Sequence, residues 1–146
     1  MHHVAIMKPV LNMIPKILSG QKTIESRWYQ TKRAPWDQIK KGDTVFFKDS
    51  GKKVTIRGQA STVLQFEIKD HEQAQAILDK YGKQIGFTED QLNIKKWGQT
   101  PKYCILIFLE KVQKIEEPFM INKKGFGAPA AWLVVKDIED IKVNSF

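Results

Sequence analysis

The sequence predicts an α+β chain: a small closed or nearly closed β-barrel of about five to seven strands with flanking helices. Three observations carry this. Short strand-like stretches recur at 3–7, 23–28, 44–48, 54–66, 103–112 and 132–135. The longest, Val54 to Phe66, places Gly58 and Ala60 on its apolar face, where a strand that curls into a small barrel must bend. Helical patterns at 12–19, 72–81 and 88–96 fall between the strands.

Taken in order, His3-Val4-Ala5-Ile6-Met7 is a strand ended by Lys8-Pro9. A helix opens at Asn12 or a neighbour and runs through Ser19; Pro15 suits its first turn, so it begins near Ile14. Gly20 follows Met13, Ile14, Ile17 and Leu18 as a C-cap. From Thr23 the period changes to two, with Thr23, Glu25 and Arg27 on one face and Ile24, Ser26 and Trp28 on the other. Lys40 to Asp43 is a tight turn, Thr44 to Lys48 a strand, and Asp49-Ser50-Gly51-Lys52 a hairpin turn. Val54 to Phe66 alternates with one lapse, at Val63. Glu72 to Tyr81 is a helix, and Thr88 with Gln91 makes a capping box for another through Lys96. Tyr103 to Val112, apolar on both faces, is a central strand; Glu116-Glu117-Pro118 breaks it, and Trp132 to Val135 is the last strand.

Length and composition fit one domain over residues 1–146, with 42% hydrophobic and 27% charged residues and no repeat. Lysine and arginine total 24 against 16 acids, a formal charge of +8. A field of that sign attracts polyanions, RNA first, although the basic residues are spread along the chain. Cys104 is the sole cysteine, which excludes an intrachain disulfide and a C-x-x-C site; it reads as a buried hydrophobe. His2, His3 and His71 show no metal-ligand spacing, so no metal or cofactor is expected. No signal pattern and no membrane-length apolar run occurs, and a reducing, cytoplasmic setting with no membrane partner is expected.

Chemistry concentrates in Gly20 to Trp28. Glu25 and Arg27 lie roughly 7 Å apart along one strand face, close enough to pair or to grip a ligand together. Lys22 stands at the helix-to-strand junction, where a cation reaches into a cleft, and Lys8 is expected in the same cleft. The bland alternative is a wet strand face with Trp28 in the core, since surface pairs are worth only ~0–1 kcal/mol. Tyr29 to Trp36 interleaves cations with aromatics, the pattern that tracks phosphates and stacks bases; alternatively Trp36 and Ile39 fix the loop to the core. Asn122 to Trp132 is rich in glycine and small residues, so a ligand can approach its backbone closely; it lacks P-loop spacing.

The run Ile17-Leu18-Ser19-Gly20-Gln21-Lys22-Thr23-Ile24-Glu25-Ser26-Arg27, followed by Lys41-Gly42-Asp43 and Val45-Phe46-Phe47, resembles the ASCH domain family. The resemblance covers the first 48 residues in order and spacing. It implies a β-barrel like the RNA-binding PUA domain, with a cleft between the first helix, the G-x-K-T-x-E-x-R segment and the Gly-rich loop 122–132. Lys8, Lys22, Thr23, Glu25, Arg27, Trp28, Phe126 and Trp132 are the candidate ligand residues, with Trp132 stacking a base across from Trp28 or else lying in the core.

Three functions follow. The first is a binding module for RNA or a modified nucleoside. The second is a hydrolase, because one bacterial branch of the family is an amidohydrolase on N4-acetylcytidine and ribonuclease activity is also associated with the family. There Lys22 matches the catalytic lysine and Thr23 its neighbour, but Glu25 stands where that branch has its active threonine; Glu89 is a guess at its later glutamate. Lys22 and Glu25 are then the candidate catalytic pair. A nucleophilic lysine must be neutral, whereas Glu25 beside it favours the ammonium, which ranks binding first. Glu25 as general base keeps catalysis open. The third is a partner-binding domain with no small ligand.

Overall fold

A computed structural model describes residues 1–143. Strands β1 (His2–Met7), β2 (Ile24–Tyr29), β3 (Thr44–Asp49), β4 (Val54–Glu67), β5 (Tyr103–Phe119) and β6 (Trp132–Val135) form one mixed sheet in the order β2-β5-β4-β3-β1-β6. Only β1 and β3 run parallel. The sheet curls into a half-barrel whose edge strands, β2 and β6, flank an open seam.

Two helices accompany it. In α1 (Met13–Ser19) the buried pair Met13 and Ile17 faces the half-barrel, and Gly20 caps the end with its N–H on the Ile17 carbonyl. In α2 (His71–Ile85) the Asp70 side chain accepts from the Gln73 N–H at 2.9 Å, and Ala74, Ile77, Leu78 and Ile85 form the buried stripe. The helix runs four residues past Tyr81. Gly82 lets it pass Leu92, since a Cβ there would stand 2.0 Å from Leu92 Cδ2. Gly86, at φ 85°, stops it.

The helix expected through Lys96 does not form. Its capping pair is present, with Thr88 N–H on Gln91 Oε1 at 2.9 Å, but only a 3-10 turn, Ile94–Trp97, follows. The Gln75 side chain of α2 takes the Ile94 N–H and the Leu92 carbonyl, and Asn93 caps the 3-10 turn, so the groups an α-helix needs are already used. The break expected at Glu116-Glu117-Pro118 is part of β5 instead. Pro118 falls where the β4–β5 register shifts between Val54 and Ile56, so it owes no ladder bond.

Packing explains the lapse at Val63. A bulge between Ala60 and Thr62 reverses the parity of β4, so Ile56, Ala60 and Val63 all face the interior while Leu64 and Phe66 turn outward. The interior holds Ala5, Met7, Met13, Ile17, Phe47, Ile105, Ile107 and Trp132. A second cluster packs α2 against Ile24, Cys104 and Leu106. A third, around Val4, Ile6, Phe46 and Leu133, covers the outer face of β1, β3 and β6. Cys104 is buried, and burial pushes its thiol far above the ordinary range. No helix among the described residues is long and apolar enough to cross a membrane.

Candidate functional site

The period-two rule sets the geometry. Ile24 packs toward α2, while Glu25 and Arg27 turn toward the interior at the seam. Lys22 enters from the end of α1. Its side chain runs past Gly86, whose missing Cβ would lie 3.2 Å from Lys22 Cβ. Lys22 Nζ donates to the Ile85 carbonyl at the C-terminus of α2 and to the Ile24 carbonyl, both at 2.7 Å, and lies 3.2 Å from Glu25 Oε1. Lys16 takes the next carbonyl, that of Gly86, at 3.1 Å. Two cations thus satisfy the negative end of α2.

Glu25 completes a triad. Its Oε1 also accepts from the Ser26 N–H at 3.0 Å, and its Oε2 from Arg27 at 3.2 Å. Arg27 bridges the seam, donating to the Ala131 and Ile6 carbonyls, with its guanidinium 5.1 Å from the Trp132 ring centroid. Lys22 is 2% exposed and Glu25 3%. Burial alone would raise the Glu25 carboxyl, but the Lys22 and Arg27 charges outweigh it and hold it below the ordinary carboxylate range. Burial pulls the Lys22 ammonium below the ordinary lysine range, and Glu25 opposes this. A neutral amine has two hydrogens for these three acceptors, so the contacts favour the ammonium.

Above the triad lies a hollow of about 290 Å³. Its walls are Met7, Leu11, Met13, Trp28, Tyr29 and Phe87, and its charged groups are Lys8, Lys22, Glu25 and Arg27, a formal excess of two positive charges. Outer depressions of about 500 and 520 Å³, at Arg57 and Lys111 and at Asp70 and Tyr103, hold no buried ionisable group.

The free edge of β2 faces this hollow. Thr23 and Tyr29 give their carbonyls to Leu109 and Lys102 on the β5 side, so Ile24, Ser26 and Trp28 turn their backbone groups the other way. The Ile24 carbonyl and Ser26 N–H are taken by Lys22 and Glu25. The Ser26 carbonyl and the Trp28 N–H and carbonyl have no protein partner among the described residues.

Lys8, Lys22, Glu25, Arg27 and Trp28 therefore line one concavity, but the Trp28 indole packs on the α2 cluster, edge-on to Trp97 with 5.0 Å between centroids and its Nε1 donating to Ser26 Oγ at 2.9 Å. Three other candidates do not line it. Thr23 is exposed outside it and acts through its backbone, bonding Gln84 and Leu109. Trp132 is core: 5% exposed, with Nε1 donating to His3 Nδ1 at 3.0 Å and Arg27 over its ring, it has no face for a base opposite Trp28. Phe126 packs on the outer cluster, and of the Gly-rich loop only Ala131 reaches the hollow. Sequence reasoning missed Met7, Leu11, Met13 and Phe87, and left Tyr29 in the following loop. Extending the Glu25–Arg27 alternation by two residues finds Tyr29; the others carry no local signal. Trp36 packs edge-on against Tyr103, 5.1 Å between centroids, with Lys32 over both rings. Glu89 lies outside the hollow. Among the described residues no three His, Cys, Asp or Glu side chains gather to hold a metal.

No family model matches the sequence, and no curated protein matches it. Among solved structures the fold is similar to that of an ASCH protein from Zymomonas mobilis, with TM-score 0.66 and 19% identity over 95% of this chain and 90% of that one. One point variant of that protein gives the same score and identity over 95% and 93%, and another gives 0.64 and 20% over 95% and 91%. At such identities the likeness establishes the fold.

Proposed function

From the premise that the chain has the ASCH fold, we propose that it is a binding module for RNA or a modified nucleoside, taking one nucleotide unit in the seam hollow. The observation that carries this reading is the hollow itself: aromatic and thioether walls, an excess of two positive charges, and an unpaired backbone edge. About 290 Å³ lies at the lower end of small-ligand sites, the scale of a single nucleotide. Rings supply stacking, exposed Lys8 at the rim meets a phosphate, and the Ser26 and Trp28 backbone offers acceptor, donor, acceptor to a base edge.

Binding stands ahead of hydrolysis on the saturation of Lys22. An ammonium engaged by two carbonyls and a carboxylate is a poor nucleophile and an anchor for the hollow's floor.

The test is titration at low salt with nucleosides, their 5′-monophosphates and short single-stranded RNA. The expected result is salt-sensitive binding that weakens at least tenfold in Lys8→Ala or Tyr29→Leu while both variants stay folded. Absence of binding to every ligand at low salt contradicts the proposal and favours a partner-binding domain. Deacylation of N4-acetylcytidine, lost in a folded Lys22→Met variant, would support the hydrolase instead.

A further inference from the structure

A second concavity lies away from the seam, the outer depression of about 500 Å³ over β3, β4 and β5. Thr44, Arg57, Gln59, Lys111 and Gln113 line it with polar side chains, and Gly58 and Val112 lie between them. Strand pairing sets its place. Thr44 stands opposite Gln59, Phe46 opposite Arg57, and Arg57 opposite Gln113, so these side chains share the face on which Phe46 joins the outer cluster. In the cross-strand row of Arg27, β4 contributes Gln65. Arg57 is roughly 26 Å of strand further along, at the other end of the sheet from the seam triad.

Two features distinguish this depression from open surface. The first is charge. Arg57 and Lys111 are among its lining residues and no acid is. Neither cation has a hydrogen-bond or ion-pair partner among the described residues; the Arg57 guanidinium lies over the Phe46 ring, 5.9 Å from its centroid. Glu110, opposite Gln59, is the nearby acid of that face, and it stays outside the lining. The depression at Asp70 and Tyr103, by contrast, sets Glu67 and Asp70 against Lys69 and Lys102.

The second feature is backbone. Between Arg57 and Gln59 the partner on β5 moves from Gln113 to Glu110, so Lys111 and Val112 together face Gly58 in a β-bulge. Lys111 takes φ 51° there. A left-handed bulge position favours glycine, and a lysine holds it only under strain. Such strain gathers where a side chain is aimed for use, and a bulge re-aims the side chain it carries.

We propose that this depression is a second ligand site, taking a phosphate group between Arg57 and Lys111. The planar Arg57 guanidinium offers paired donors to two phosphate oxygens, and the Lys111 ammonium adds a point charge. The Thr44 hydroxyl and Gln113 amide, which make no side-chain hydrogen bond among the described residues, supply neutral donors at the wall. The site does not depend on the seam hollow.

The test titrates the full chain with inorganic phosphate against chloride at constant ionic strength, read by the backbone amide NMR signals of Gly58, Lys111 and Val112. The expected result is saturable shifts at those amides, with affinity about tenfold lower in Arg57→Gln and in Lys111→Gly, each having lost a charged contact. Lys111→Gly also separates the cation from the backbone, since glycine accepts the left-handed conformation; it should be at least as thermostable as the parent. Equal affinity in either variant, or shifts that follow ionic strength alone, overturn the site. A lower Tm for Lys111→Gly overturns the reading of Lys111 as strained for the sake of its charge. A second arm with short single-stranded RNA identifies the source of the phosphate. Shifts of the same amides, weakened in the same two variants, make it a backbone phosphodiester; shifts with inorganic phosphate alone make it the free ion.

Discussion

Replacing Glu25 by glutamine tests how the seam is held. The substitution keeps shape and removes the only carboxylate of the triad. Lys22 Nζ then keeps two carbonyls at 2.7 Å but loses its anion, and Arg27 keeps the Ala131 and Ile6 carbonyls. Because both members of the Lys22–Glu25 pair are nearly fully buried, the surface value of ~0–1 kcal/mol does not apply. Breaking a buried pair from one side costs about 3–5 kcal/mol. Against a total of about 5–15 kcal/mol that leaves the domain marginal, with Tm lower by about 10–15 °C. Urea unfolding at pH 7 measures it, at unchanged m-value. The double variant Lys22→Met with Glu25→Gln should cost less than the two single changes added together, because neither group is then left charged and alone. A cost below about 1 kcal/mol for Glu25→Gln would mean that water already screens the pair, and would refute the reasoning.

Other outcomes follow from the same geometry. Glu25 is held below its unfolded value, so its stabilisation is present above ~4.3 and is lost as pH falls through the folded value; Glu25→Gln should lack that acid limb in unfolding curves. His3 is buried neutral, accepting at Nδ1 from Trp132 and donating from Nε2 to Asp43, and burial outweighs Asp43 to hold it below 6.5. Its ring signals should titrate below 6.5, with stability declining as pH drops past that value; a midpoint at or above it contradicts the assignment. Gly82→Ala forces the Leu92 methyl aside but gains about 1 kcal/mol of helix propensity, so thermal unfolding should show a net cost of no more than about 2 kcal/mol. Asp70→Ala removes the α2 N-cap and should cost about 0.5–2 kcal/mol.

What was legible in the sequence was local. The change of period at Thr23 put Glu25 and Arg27 on one face, and the Gly20 stop put Lys22 beside them. The strands were found because each carries its own local pattern, an alternation in Thr23 to Trp28 and Val54 to Phe66 and an apolar run in Tyr103 to Val112. Long-range choices were not legible. The side-chain amide of Gln75 diverts the segment after Thr88, and nothing in residues 88–97 encodes that partner. Phe126 follows the end of β5 by seven residues and Trp132 opens β6, but which face of the sheet the loop crosses depends on β1 sitting between β3 and β6. That ordering buried Trp132 against His3 and carried Phe126 to the outer cluster. The bulge in β4 hid the inward role of Val63 for the same reason: a reversal of parity is set by the partner strand.

The most direct measurement is a crystal structure of the chain soaked with a pyrimidine 5′-monophosphate. The account predicts one nucleotide in the seam hollow, its base against the Tyr29 and Phe87 wall with its edge on the Ser26 and Trp28 backbone, and its phosphate toward Lys8. A nucleotide bound elsewhere, or a hollow without one at saturating concentration, would contradict it.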